Sequence, residues 1–191
     1  MKIGVLALQG AFSEHIKILS SLGVQPVQVR QAKELRGLDG LIIPGGESTT
    51  FGKLASAFNL IEPLRTFCKA GKPVWGTCAG MIFLAKDVGR PQPVIGVMDV
   101  TVKRNAFGRQ VDSFEVDLKI PALKPNGLFH AIFIRAPLIE SVGKGVRVLA
   151  RLEDGTIVAA RQGNLLSTSF HPELTDDTRF HQYFIDMVKK K

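Results

Sequence analysis

Lys72-Pro73-Val74-Trp75-Gly76-Thr77-Cys78-Ala79-Gly80-Met81-Ile82-Phe83-Leu84 runs from a short apolar segment through a Gly-x-Cys-x-Gly turn into a second apolar segment. This pattern predicts a strand, a sharp turn and a helix, the sulfur version of a nucleophile elbow, which lifts one side chain to the carboxyl edge of a sheet. Gly76 and Gly80 lack a β-carbon, so the chain can turn tightly and the helix can approach the sheet closely. Cys78 falls at the helix N-terminus, where the positive end of the helix dipole favours thiolate, and the Ala79 N–H faces the same spot. Alone, the motif also fits a small buried cysteine between two turn glycines.

The other 178 or so residues bound the answer, and a chain of 191 in total is expected to form one domain, residues 1–191, with a proper core and no metal or disulfide staple. A hydrophobic share of 45% with 22% charged residues is that of a soluble globular protein. Cys68 and Cys78 are the two cysteines, without the paired spacing of a zinc site, so a reducing compartment and a cytoplasmic protein are expected. Lys2 to Leu8 is too short for a signal peptide, and no run reaches the length of a membrane span. The net charge of +8 is spread along the chain, which argues against nucleic acid and for an acidic protein partner.

Outward from the elbow, the chain alternates. Ile3–Leu8 is an uninterrupted apolar run that suits a strand covered on both faces. Ser13–Leu22 has helical spacing and closes on Gly23; Pro26–Arg30 and Leu38–Pro44 read as further strands, with helices up to Phe58 and over Leu60–Ala70. Gly45 to Lys53 only superficially resembles a phosphate loop, because Glu47 stands where glycine is required and Leu54 follows Lys53. Beyond Arg90-Pro91-Gln92-Pro93, strand-like runs at 94–102, 111–120, 131–134, 147–152, 157–161 and 165–170 have no helices between them. They read as antiparallel additions, and 176–189 as a closing helix with Phe180, Phe184, Met187 and Val188 on one face. The fold class is therefore α/β: an open doubly wound sheet, parallel at its centre.

A cysteine nucleophile needs a base. Of the four histidines, His15 and His181 fall inside predicted helices and His130 on the approach to a strand, whereas His171 ends an apolar strand with Glu173 two residues on. In an extended chain, held so by Pro172, positions i and i+2 point to one side, which lets Glu173 orient the imidazole. A strand-end histidine with a structural role is the plainer alternative; Cys78 makes a Cys78-His171-Glu173 triad the better reading.

Pro-Gly-Gly-Glu-Ser at 44–48, Gly-Thr-Cys-Ala-Gly at 76–80 and Ser-Phe-His-Pro-Glu at 169–173 together resemble the class I, triad-type glutamine amidotransferases. Leu8-Gln9-Gly10, the string 104–110, Asp112-Ser113-Phe114-Glu115 and Phe133-Ile134-Arg135-Ala136-Pro137 extend the resemblance over the chain, toward the glutaminase subunits of pyridoxal 5'-phosphate synthases. The resemblance implies a flavodoxin-like architecture, Cys78 as nucleophile, His171 as base and acid, Glu173 as its orienting partner, and Gly46 and Ala79 as oxyanion donors. It further implies L-glutamine held by Gly46, Glu47, Ser48, Arg104, Ile134 and Arg135, with no cofactor or metal and with Ala106 in a motif string. It also implies a (β/α)8-barrel synthase partner in a large hetero-oligomer, which takes the ammonia and joins it to ribose 5-phosphate and glyceraldehyde 3-phosphate. Each oxyanion donor would contribute roughly 2.7–4 kcal/mol, so a glycine-pair loop with two peptide orientations could switch the activity. The alternatives are a stand-alone γ-glutamyl hydrolase, a glutaminase serving another synthase, or an interaction module with a silent triad.

Overall fold

Apolar runs without polar alternation pair side by side at the centre of the molecule, because only a strand covered on both faces can bury every residue. The computed structural model describes residues 1–104 and 113–190. Its first half alternates β1 (Lys2–Leu6), α1 (Phe12–Ser21), β2 (Gln25–Val29), a 3-10 turn (Ala32–Leu35), β3 (Gly40–Ile43), α2 (Ser48–Ala57) and α3 (Ile61–Lys69), then β4 (Val74–Thr77) and α4 (Ala79–Leu84). The second half is mostly strand: β5 (Ala85–Asp87), β6 (Met98–Lys103), β7 (Ser113–Lys119), β8 (Leu128–Ile134), β9 (Leu138–Val142), β10 (Val146–Arg151), β11 (Ile157–Gln162) and β12 (Leu165–Thr168). A 3-10 turn (Pro172–Leu174) and α5 (Arg179–Lys189) close the chain.

The large sheet has the order β2-β1-β3-β4-β12-β11-β9-β6-β5, with β10 added on β11. Its first five strands are parallel, the flavodoxin-like order with β12 in fifth place. From β11 onward the pairing turns antiparallel, as the helix-free second half of the sequence predicts, and β5 returns to parallel beside β6.

Alternate side chains of the central strands feed two cores. Leu41, Ile43 and Val74 join Phe51, Leu64 and Phe83 of α2, α3 and α4 on one face. Ile3, Val5, Ile42 and Trp75 join Leu19 of α1 and Phe180 and Phe184 of α5 on the other. Trp75 is fully buried among Phe180, Phe184, His15 and His181, and its indole N–H donates to the Thr168 hydroxyl at 3.2 Å, tying β4 to β12. Burial of each such large apolar side chain contributes roughly 1.5–3 kcal/mol.

Several expectations change. The run at 94–102 becomes a strand only from Met98; before it, Pro93 and Gly96 (φ +67°) break the extension. There the N–H groups of Ile95 and Val97 satisfy the Phe83 and Leu84 carbonyls at the end of α4. The strands β7 and β8 do not extend the large sheet but form a separate antiparallel pair, laid over the second core through Leu118, Phe129 and Phe133. The spacing gives no sign of β5, three residues long, or of β9, whose Glu140 and Ser141 interrupt the apolar pattern. The string 105–110, including Ala106, and positions 111 and 112 lie outside the described residues. Among the described residues no helix is long and apolar enough to cross a membrane.

The elbow packs its backbone tightly. A β-carbon on Gly80 would sit 2.0 Å from the Ile43 carbonyl oxygen, and one on Gly76 would sit 2.4 Å from the Gly80 oxygen. Backbone cannot yield as a flexible side chain can, so Gly80→Ala must push α4 off β3. This substitution is expected to cost about 1–3 kcal/mol, read as a lower urea midpoint at unchanged slope. An unchanged midpoint would show that the helix does not lie that close.

Candidate active site

Three adjoining parallel strands, β3, β4 and β12, end at one edge of the sheet, the edge where open α/β folds carry their sites. Gly45 and Gly46 follow β3, Cys78 follows β4, and His171 follows β12. Cys78 adopts φ +47° and ψ −105°, a conformation that costs a non-glycine residue of order 1–3 kcal/mol. Its N–H donates to the Thr168 carbonyl at 2.8 Å and its own carbonyl accepts from Met81 at 3.1 Å, so the bend is held from both sides. The helix that follows has six residues, and Ala79, its first, has an N–H with no carbonyl one turn before it.

His171 meets Cys78 across Gly45, where a β-carbon would come within 2.5 Å of the imidazole Cε1 and 3.3 Å of the Cys78 Cβ. Its N–H donates to Ile132 on β8 at 2.9 Å. Ring Nδ1 pairs with Glu173 Oε1 at 2.7 Å, leaving Nε2 for the Cys78 sulfur. The route to this contact differs from expectation. Pro172 to Leu174 is a single 3-10 turn closed by Leu174 N–H on the His171 carbonyl, not an extended segment, and the turn swings Glu173 back beneath the ring.

Burial pulls the imidazole toward neutrality, but the hydrogen bonds to Cys78 and Glu173 outweigh it and push the His171 pKa up to about 10. Burial would likewise raise the Glu173 carboxyl; the nearby His15 and the hydrogen bond and charge of His171 hold it below the ordinary carboxylate range. His171 and Glu173 are 7% and 5% exposed, so this charge pair is nearly out of water, where electrostatic interactions strengthen. Cys68, by contrast, is half-buried on α3, and burial drives its thiol up to about 12.

A cleft of about 310 Å³ brings together Gly46, Glu47, Ser48, Cys78, Ala79, Arg104, Ile134, Arg135 and His171, with Ile82 and Pro137 completing its wall. That volume suits a small molecule. Among the expected residues, Glu173 stands behind the wall, and every other one lines it. Two have a further duty. Glu47 caps α2, accepting from the N–H groups of Thr49 at 3.0 Å and Thr50 at 2.6 Å, and hydrogen bonds led by the Thr50 hydroxyl bring its pKa down to about 2. Arg104 Nη1 donates to Thr49 Oγ1 and Gln92 Oε1 at 3.1 and 3.0 Å, and Nη2 lies 3.4 Å from Glu47. Arg135 holds a left-handed φ of +41°, a strained position of the kind found at ligand clamps. The Ser48 hydroxyl is buried without a protein partner among the described residues.

The sequence pattern gives no sign of four supports. Gln9 packs its amide against Gly46 and donates to the Glu47 carbonyl at 3.1 Å, and Gln92 steadies Arg104. The Gly45 carbonyl accepts from Ala11 N–H at 3.2 Å, which fixes the orientation of the Gly45–Gly46 peptide. His15 and His181, set aside as helix residues, form a buried pair directly behind Glu173. Among the described residues no group of three or more His, Cys, Asp or Glu could hold a metal ion.

The profile of the SNO glutamine amidotransferase family matches residues 5–190. A curated protein of Dehalococcoides mccartyi named pyridoxal 5'-phosphate synthase subunit PdxT is 59% identical, covering 99% of this chain and 98% of that relative. One of the same name from Moorella thermoacetica is 60% identical, over 98% of this chain and all of its own length. A solved structure described as a glutamine amidotransferase superimposes with a TM-score of 0.92 at 50% identity, covering 98% of both chains. The cleft's cysteine and histidine thus sit in a chain whose whole length has amidotransferase relatives, and the chain belongs to the SNO glutamine amidotransferase family.

Proposed function

We propose that the chain, as one domain over residues 1–191, is the glutaminase subunit of a pyridoxal 5'-phosphate synthase. The observation that carries this is the small cleft in which Cys78 faces an imidazole already paired with a buried carboxylate. Full-length relatives named as that synthase subunit, at 59–60% identity, supply the pathway.

Catalysis follows from the geometry. Cys78 attacks the side-chain amide carbon of L-glutamine, forming a carbon–sulfur bond while the carbonyl oxygen takes up negative charge. Ala79 and Gly46 N–H groups donate to that oxygen. Because a trans peptide points its C=O and N–H in opposite directions, the Gly45 carbonyl held by Ala11 turns the Gly46 N–H the other way. His171, charged at neutral pH, gives its proton to the leaving nitrogen, and ammonia departs. The neutral ring then takes a proton from water, hydroxyl attacks the thioester, and collapse releases glutamate, whose acid proton passes to solvent, and restores the Cys78 thiolate beside the charged His171. Glu173 keeps the ring's Nδ1–H engaged throughout, so the working nitrogen is always Nε2. Arg104 and Arg135 bring cationic charge for the α-carboxylate of glutamine, while Glu47, Ser48 and the Ile134 backbone shape the rest of the pocket.

Ammonia released to water would be protonated and lost as a nucleophile. A docked synthase subunit must therefore receive it beside the cleft; the family resemblance implies that this partner is a (β/α)8 barrel that makes pyridoxal 5'-phosphate from ribose 5-phosphate and glyceraldehyde 3-phosphate. The assembly works in the cytoplasm, where the two free cysteines stay reduced.

In the assembled synthase, Cys78→Ala is expected to abolish pyridoxal phosphate formation from glutamine and to leave formation from ammonium salts intact. Loss of both would make Cys78 an assembly residue rather than a nucleophile. Glutamate release should also rise when the barrel subunit is added. A full rate from the chain alone, unmoved by the barrel, would favour a stand-alone γ-glutamyl hydrolase or a glutaminase for another synthase.

A further inference from the structure

Glu173 has two carboxylate oxygens and His171 uses one of them. Oε2 of Glu173 is fully buried and accepts no hydrogen bond among the described residues. His15 Nε2 lies 3.4 Å from it, on a ring that is itself entirely out of solvent. A buried carboxylate with a bare oxygen is costly, which gives the position of His15 an electrostatic reason.

The tautomer of His15 can be derived. Burial keeps His15 and His181 neutral, against the smaller pull of Glu173 on His15. His15 Nδ1 and His181 Nε2 are 2.9 Å apart, so only one of them carries the shared proton. Suppose His15 Nδ1 were the donor. Its bare Nε2 would then face the Glu173 anion, and His181 would carry its proton on Nδ1, which is buried with no partner. With His181 Nε2 as donor, both penalties vanish: His15 carries its proton on Nε2, toward Glu173 Oε2 and the Thr77 hydroxyl at 3.4 Å, and His181 is left with a bare acceptor. An unpaired acceptor is the more easily tolerated of the two.

Resting on the triad reading above, we propose that His15 is a positioning residue of the active site, whose Nε2–H faces the second oxygen of Glu173 at 3.4 Å as its electrostatic partner while His181 fixes the His15 tautomer. The relay runs from Cys78 through His171, Glu173 and His15 to His181, linking β4, the turn after β12, α1 and α5. The charged or titratable groups facing it are Cys78, His171 and Glu173, with Glu14 beside His15 on α1. By stabilising the Glu173 anion, His15 supports the charged form of His171. Removing the donor should therefore lower the pKa of His171 and move the alkaline limb of glutaminase activity to lower pH.

Nitrogen-15 NMR of histidine-labelled native chain reads the tautomers with no variant and no substrate. Both rings should be neutral and protonated on Nε2 at neutral and mildly alkaline pH. A proton on His15 Nδ1, or a charged His15, would overturn the proposal. In the chain assembled with its synthase, His15→Leu should lower kcat/KM roughly 10- to 100-fold, by analogy with the loss of a group that orients a metal ligand, and shift the alkaline limb down. His15→Gln, which keeps an amide N–H at a similar reach, should restore the limb. A fall in thermal stability with an unmoved limb, or equal defects in both variants, would assign His15 to packing alone and contradict the proposal. Should the unmodified assembly not hydrolyse glutamine, the glutaminase reading itself fails, an outcome separate from a wrong tautomer.

Discussion

The bend at Cys78 is held in place by its neighbours rather than by its own preference. Its positive φ with ψ near −105° is costly for a residue with a side chain, and the Thr168 carbonyl, Gly76 and Gly80 together leave no relaxed alternative. Because Gly80 sits against the Ile43 carbonyl, the elbow is also keyed to β3, the strand that delivers Gly45 and Gly46. The sheet order then does the rest: β3, β4 and β12 are neighbours, so the glycine pair, the thiol and the imidazole arrive at one edge.

Behind that edge the protein keeps charge out of water in a graded way. His171 and Glu173 form a charged pair, while His15 and His181, deeper in the second core and edge-on to Trp75, stay neutral. The same aromatic cluster that stabilises the fold therefore sets the dielectric around the orienting carboxylate. Stability and reactivity share residues here, and Trp75 illustrates it: its ring packs against Phe180 and Phe184 while its N–H braces the strand that ends before His171.

Much of this was legible in the sequence because central strands and elbows have strong local signals. Short apolar runs marked β1, β3 and β4, the run at 165–170 marked β12 despite its hydroxyl residues, and Gly-Thr-Cys-Ala-Gly marked the turn that organises them. What escaped depends on contacts distant in the chain. The separation of β7–β8 from the large sheet is decided by which core Phe129 and Phe133 enter, and no local pattern encodes it. The contact of His171 with Glu173 was foreseen but its path was not, since Pro172 initiates a 3-10 turn as readily as it extends a chain. Nothing in the sequence separates the place of Glu47 in the pocket wall from its capping of α2, and His15 and His181, 166 positions apart, carry no sequence sign of their meeting.

The central claim is that this elbow makes Cys78, and not the half-buried Cys68, the covalent catalyst. Peptide mapping after treatment of the assembled enzyme with a diazo-ketone analogue of glutamine tests it most directly. One adduct is expected, on Cys78, lost when excess glutamine competes. An adduct on Cys68, or none with the synthase subunit present, would contradict it.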